Sequence, residues 1–156
     1  MSEELTPEQQ AKIIEANVAK VERYLRKGGA FEILEDNLYR VRDGSAQVLI
    51  SVNILGNGKP FVRVFSYVLR EVKKAGNEAM YEDFCKLNDE WVFGKIYYRE
   101  MQDKPGLGYI MLEHNLLAEF LDYEELVSAV GCLAYVADDV DDKLKAKYGG
   151  KRFIDE

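Results

Sequence analysis

Histidine and cysteine are nearly missing from this chain, and basic charge is in deficit. One histidine, His114, stands among 156 residues. A metal site would have to pair it with Glu113, and no second histidine, suitably spaced cysteine or HExxH pattern completes a ligand set. The same scarcity weighs against nucleophilic catalysis, because any serine or cysteine dyad would have to converge on that single imidazole and no GxSxG elbow is present. No catalytic residue, metal or cofactor is expected. The two cysteines, Cys85 and Cys132, fall in predicted helices of a chain without an export signal, and are read as buried small hydrophobes in a reducing cytoplasm rather than as a disulfide.

Long apolar runs are missing too. None approaches the roughly 20 residues a spanning helix needs, and the opening MSEELTPEQQ has neither a basic start nor an apolar core, so no signal peptide is expected. Lys and Arg number 21 against 28 Asp and Glu, which gives a net charge of −7. Such a field repels phosphate backbones and anionic headgroups, so neither nucleic acid nor membrane is an expected partner.

What remains is an ordinary soluble composition, 47% hydrophobic and 31% charged, too apolar for disorder. A chain of this length buries roughly 70% of its unfolded surface, and a single domain over residues 1–156 is expected. Thr6-Pro7-Glu8-Gln9 reads as a capping box with proline at the first helical position. Ile14, Val18, Val21 and Leu25 then draw one apolar stripe up to Gly28-Gly29.

From Ala30 to Glu71 the period drops to two. Phe31–Glu35 and Leu38–Val41 read as one interrupted strand, and Gln47–Leu55 and Pro60–Arg70 as a hairpin around Gly56-Asn57-Gly58-Lys59. That glycine-rich turn has some look of a phosphate loop, but it lacks the GxxxxGK[ST] spacing and leads into a strand. Val48, Ile50, Val52 and Ile54 opposite Val62, Val64 and Val68 form the expected core face. The opposite face carries Leu49, Ser51, Asn53, Phe61, Arg63, Phe65, Tyr67 and Leu69.

A second helix is expected from about Asn77 to Asn88, passing with almost no loop into a strand Trp91–Met101. Asp103-Lys104-Pro105-Gly106 turns the chain into a strand Leu107–Glu113. Asp122-Tyr123-Glu124-Glu125 reads as a second capping box. Leu126, Val130, Leu133, Ala137, Val140 and Leu144 keep helical spacing to Gly149-Gly150. The fold class is α+β, an antiparallel sheet flanked by helices in the order α-βββ-α-ββ-α.

Two features invite a chemical reading. Asp138-Asp139-Val140-Asp141-Asp142 has the look of a magnesium–diphosphate motif, but such chemistry needs two facing motifs in an all-helical cavity. The plainer reading is a solvated acidic face ahead of Lys143, Lys145 and Lys147. The aromatic stripe Phe61, Phe65 and Tyr67, extended by Tyr97, is the more informative. Either it packs under a helix or loop, or it is an open apolar face of several hundred Å² that a second copy or an extended peptide covers, with Arg63 and Ser51 as polar anchors at its margin.

Leu87-Asn88-Asp89 followed by Phe93-Gly94-Lys95-Ile96-Tyr97-Tyr98 resembles the central segment of YbjN-like proteins, and the likeness continues through Leu107–Leu117, Asp122–Leu126, Ala137-Asp138-Asp139 and Gly149-Gly150. The element order is similar to that of type III secretion chaperones. The resemblance implies a small, acidic, dimeric cytoplasmic protein that holds an unfolded client segment without ATP, and it supplies no catalytic residues. The expectation is therefore a non-enzymatic chaperone-like or adaptor protein, homodimeric, binding a protein segment at Phe61, Arg63, Phe65, Tyr67 and Tyr97. The alternative is a small-molecule or metal binder, or minor enzyme, with a pocket between the C-terminal helix and the sheet.

Overall fold

A computed structural model describes residues 5–155; the outermost ends of the expected domain, residues 1–4 and 156, lie outside the described residues. Helix α1 (Pro7–Gly28) is followed by β1 (Glu32–Glu35), β2 (Leu38–Asp43), β3 (Ala46–Ile54) and β4 (Pro60–Lys73). Then come α2 (Met80–Glu90), β5 (Lys95–Glu100), β6 (Leu107–Leu117), α3 (Tyr123–Tyr148) and a short 3-10 turn, Phe153–Asp155. The six strands form one antiparallel sheet in the order β1-β2-β3-β4-β6-β5. All three helices share one buried cluster with the valine face: Val21 and Leu25 of α1, Met80 and Phe84 of α2, and Leu126, Leu133 and Ala137 of α3 meet Val48, Ile50, Val62 and Val64.

The expected order α-βββ-α-ββ-α holds, and local chemistry explains where its details differ. The first strand folds back on itself into β1 and β2, because Asn37 adopts a left-handed backbone (φ 63°) at the turn. The Asn37 side chain also exchanges two 2.7 Å hydrogen bonds with the Val52 backbone, filling the edge of β3 just ahead of where β2 begins. A bulge between Tyr67 and Leu69 turns Leu69 onto the core side opposite Ile110, so Leu69 leaves the face on which alternation placed it. Helix α2 starts at Met80, not Asn77, since the Asn77 side chain is committed to the carbonyls of Lys73 and Tyr148.

Trp91–Gly94 is a loop rather than strand, broken by Gly94 at φ 81°. Cys85 is exposed and Cys132 half-buried, both free. Neither is a core residue, because each falls on the outward side of its helix.

Both helix starts form as read, with one difference. Thr6 and Gln9 bond reciprocally, whereas at α3 the cap is Asp122 accepting the Glu125 N–H at 2.8 Å. After Gly149-Gly150 the chain returns along β4, where Lys151 and Arg70 exchange two backbone bonds of 2.9 Å. The aspartate run is only partly a solvated face. Asp138 accepts the Ser45 backbone N–H at 2.9 Å and the buried Asp141 lies within 2.7 Å of the Ser45 hydroxyl, clamping α3 to the β2–β3 turn, while Asp139 pairs with Lys143 and Asp142 with Arg152.

The Leu-Asn junction has a structural role that spacing could not show. The Asn88 carboxamide accepts the Ile96 N–H at 2.7 Å and donates to the Ile96 carbonyl at 3.0 Å. It thus occupies the outer edge of β5, a place where a free strand edge would invite pairing with another chain. Asn88→Ala is expected to lower stability by about 2 kcal/mol, the scale of leaving two backbone groups of a half-buried edge unpaired. Chemical denaturation measures it, and a loss below about 0.5 kcal/mol would contradict the role.

Candidate functional site

The five singled-out side chains lie on the face of the sheet that α1, α2 and α3 leave uncovered. Strand register fixes this: Phe65 is opposite Leu49 and Glu113, Arg63 opposite Ser51 and Asn115, Phe61 opposite Asn53 and Leu117, and Tyr67 opposite Met111, which is opposite Tyr97. Cross-strand partners project to the same side of a sheet, so one register carries all of them to one surface.

That surface is not the open apolar face expected. Phe65 is only 5% exposed and Met111 fully buried, yet neither belongs to the cluster beneath the helices. The cover of Phe65 is made of side chains. The Arg63 guanidinium lies 4.0 Å from the Phe65 ring centre, a cation–π contact. Tyr67 meets Phe65 edge-on at 5.9 Å and Tyr109 at 4.8 Å, and Phe153 of the 3-10 turn closes on Tyr67 at 6.2 Å. Phe61, Arg63, Tyr67 and Tyr97 are each half-buried. The physical reason is bulk: large side chains two apart on adjacent strands reach across the intervening gaps and shield one another.

At the centre sits a polar knot that alternation did not reveal. Glu113 accepts from Arg63 at 2.9 Å, from the Tyr97 hydroxyl at 2.5 Å and from Asn115 at 2.9 Å. Lys95 stands 3.7 Å away, and Arg63 also donates to the Tyr97 oxygen at 3.2 Å. Burial opposes ionisation of Glu113 most strongly, but the bonds from Arg63, Tyr97 and Asn115 together outweigh it and bring its pKa down to about 2. Burial and the adjacent Glu113 charge raise the Tyr97 pKa. Glu113 entered the sequence reading only as a metal candidate beside His114; that Arg63 pairs with it follows from the β4–β6 register, which no local pattern specifies.

His114 does not join it. Its Nδ1 accepts the Gly94 N–H at 3.2 Å and its ring packs on Phe93 at 5.3 Å, bracing the loop ahead of β5. Among the described residues no cluster of three His, Cys, Asp or Glu side chains is arranged to hold a metal ion. The alternative reading put a pocket between α3 and the sheet: Leu126, Ala129, Leu133 and Ala137 fill the middle of that interface, and a crevice of about 190 Å³ remains at its edge, between α3, the end of α1 and β2. Among the described residues no helix is long and apolar enough to cross a membrane.

Comparison with known proteins points one way. A family model described as "T3SS (YopN, CesT) and YbjN peptide-binding chaperone 1" matches residues 13–156. The crystal structure of YbjN from E. coli is similar at a TM-score of 0.59 and 14% identity, over 83% of this chain and 91% of that one, a likeness of fold. The search of curated proteins found no match.

Proposed function

The chain belongs to the family of T3SS and YbjN peptide-binding chaperones, and from that premise we propose that it is a non-enzymatic, chaperone-like or adaptor protein that holds a protein segment on the helix-free face of its sheet. The contact residues are Phe61, Arg63, Phe65, Tyr67 and Tyr97. The protein acts as a single domain, as a homodimer, in the cytoplasm and without a cofactor.

One observation carries this reading: Phe65 is buried outside the main core under a cover of side chains, with Arg63 lying directly over it and Tyr67 edge-on beside it. A cover of backbone is fixed by its hydrogen bonds, whereas a cover of rotamers parts without unfolding anything. An apolar side chain of a bound segment that displaces the Arg63 guanidinium reaches Phe65, and Arg63 and Tyr97 then offer donors to the segment's carbonyls.

The test is suppression of aggregation of reduced insulin, followed by light scattering without nucleotide. The wild type is expected to suppress it, and a Tyr67→Ala/Tyr97→Ala variant to lose most of that effect while keeping its circular dichroism spectrum. Both residues are half-buried, so they disturb the fold less than a change at Phe65. Equal suppression by the folded variant would sink the assignment of the face. Light scattering of the protein alone reports the dimer, as a mass twice 17.9 kDa.

A further inference from the structure

On the other side of the molecule, the outward surface of α3 carries a furrow that the sheet-face reading does not use. A crevice of about 190 Å³ opens between α3, the end of α1 and β2, lined by Leu25, Val41, Val127, Val130 and Ala134. A wider groove of about 400 Å³ lies on the far flank of α3, between Cys132, Tyr135 and Val136 and the loop Trp91–Phe93. Both are bordered by Gly131, so they meet across the helix at that residue. Val92 is 88% exposed and Tyr135 72% exposed, large apolar surface that none of the described residues covers.

Gly131 needs a reason. Glycine inside a helix is the weakest ordinary helix former, and here no packing demands it, because a Cβ at this position would meet no atom within 4 Å. A residue that costs helix stability and fills no internal gap makes sense where something outside the chain approaches the helix backbone. The crevice exceeds the roughly 150 Å³ that accommodates a benzene ring in an apolar cavity, so it can take one aromatic or branched side chain.

Charge selects the occupant. Asp43 stands at the crevice and Glu90 at the groove, and neither forms an ion pair with another described residue. A second copy of a chain with net charge −7 would bring more carboxylates to the same place. A basic segment would neutralise both ends.

We infer that this furrow is a second binding site, taking an extended, basic peptide segment that crosses α3 over Gly131. An α-helix is about 10 Å across and an extended chain advances about 3.3 Å per residue with alternate side chains on one side. Apolar residues at positions i and i+4 therefore reach the crevice and the groove. The small residue at i+2 faces Gly131, and the Lys or Arg residues outside them meet Asp43 and Glu90.

The test uses the full chain and a fluorescein-labelled peptide KKLSASFKK, followed by anisotropy. Wild type is expected to bind it at least tenfold more tightly than KKSSASSKK. Gly131→Gln is expected to raise the melting temperature, since the new side chain enters open space, and to weaken KKLSASFKK at least tenfold. The Tyr67→Ala/Tyr97→Ala variant is expected to bind it as wild type does, which separates this site from the sheet face. Absence of binding to wild type, equal binding of the two peptides, or unchanged binding to Gly131→Gln would each overturn the proposal. So would a Gly131→Gln chain that turns from dimer to monomer, which would make the furrow an interface between copies.

Discussion

Replacing Gly108 by valine is expected to cost at least about 3 kcal/mol, the upper part of the range for forcing atoms into a filled site. Gly108 sits in β6 opposite Glu100 of β5, and the Tyr98 ring lies across it where a side chain would project. A Cβ there would stand 2.6 Å from the Arg99 carbonyl oxygen and as close to the edge of that ring. The ring could swing away; the carbonyl belongs to the ladder joining β5 to the sheet and cannot move without breaking it. For a domain of this size such a loss lowers the melting temperature by about 10 °C. Gly131→Ala is the informative contrast, expected to gain about 1 kcal/mol because its surroundings are empty. Thermal unfolding of both variants gives shifts of opposite sign; a Gly108→Val chain as stable as wild type would refute the packing described between β5 and β6.

The second large effect is at Glu113. Glu113→Ala is expected to cost about 3 kcal/mol, the low end for breaking a buried pair, since its side chain is 9% exposed while Arg63 keeps 22% of its own surface. Removal leaves Arg63 and Tyr97 without their shared acceptor. The pH dependence follows from the direction of the shift. With the folded pKa lowered to about 2, the unfolded chain binds the proton more readily. The carboxylate's contribution is therefore complete above the unfolded value near 4.3 and is lost as pH falls through about 2. Glu71, held down to about 2 by Lys104 and Lys151, adds to the same window. The difference between wild type and Glu113→Gln isolates the knot: denaturation at pH 6, 4 and 2.5 is expected to show the gap between them closing toward low pH. A gap independent of pH would mean Glu113 is not ionised in the folded protein.

How legible all this was depended on the range of the interactions involved. The Thr6 capping box, the Asp122 cap, the Gly58 and Gly106 turns and the α3 stripe act within a few residues, and each is where the pattern put it, although Asp122 caps α3 without the reciprocal Glu125 bond of a full box. The valine face was readable because a period of two survives in β3 and β4 up to the bulge after Tyr67. What alternation could not give was exposure. It placed Phe61, Arg63, Phe65, Tyr67 and Tyr97 on one face, but whether Phe65 is open depends on the reach of Arg63 from its own strand and of Phe153 from the far end of the chain. The Asn37 and Asn88 bonds were hidden for the same reason: a carboxamide finds its strand edge only once tertiary structure brings it there. Gly131 was silent in the sequence, and became informative once its surroundings proved empty.

Mapping the bound segment tests the central claim most directly. ¹H–¹⁵N spectra of the labelled protein, titrated with oxidised insulin B chain as an unfolded client, are expected to shift the amides of Phe61–Tyr67 and Tyr97 together with the Arg63 Nε–H as its guanidinium leaves Phe65. Spectra that stay unchanged at those positions while the client binds elsewhere, or does not bind, would contradict it.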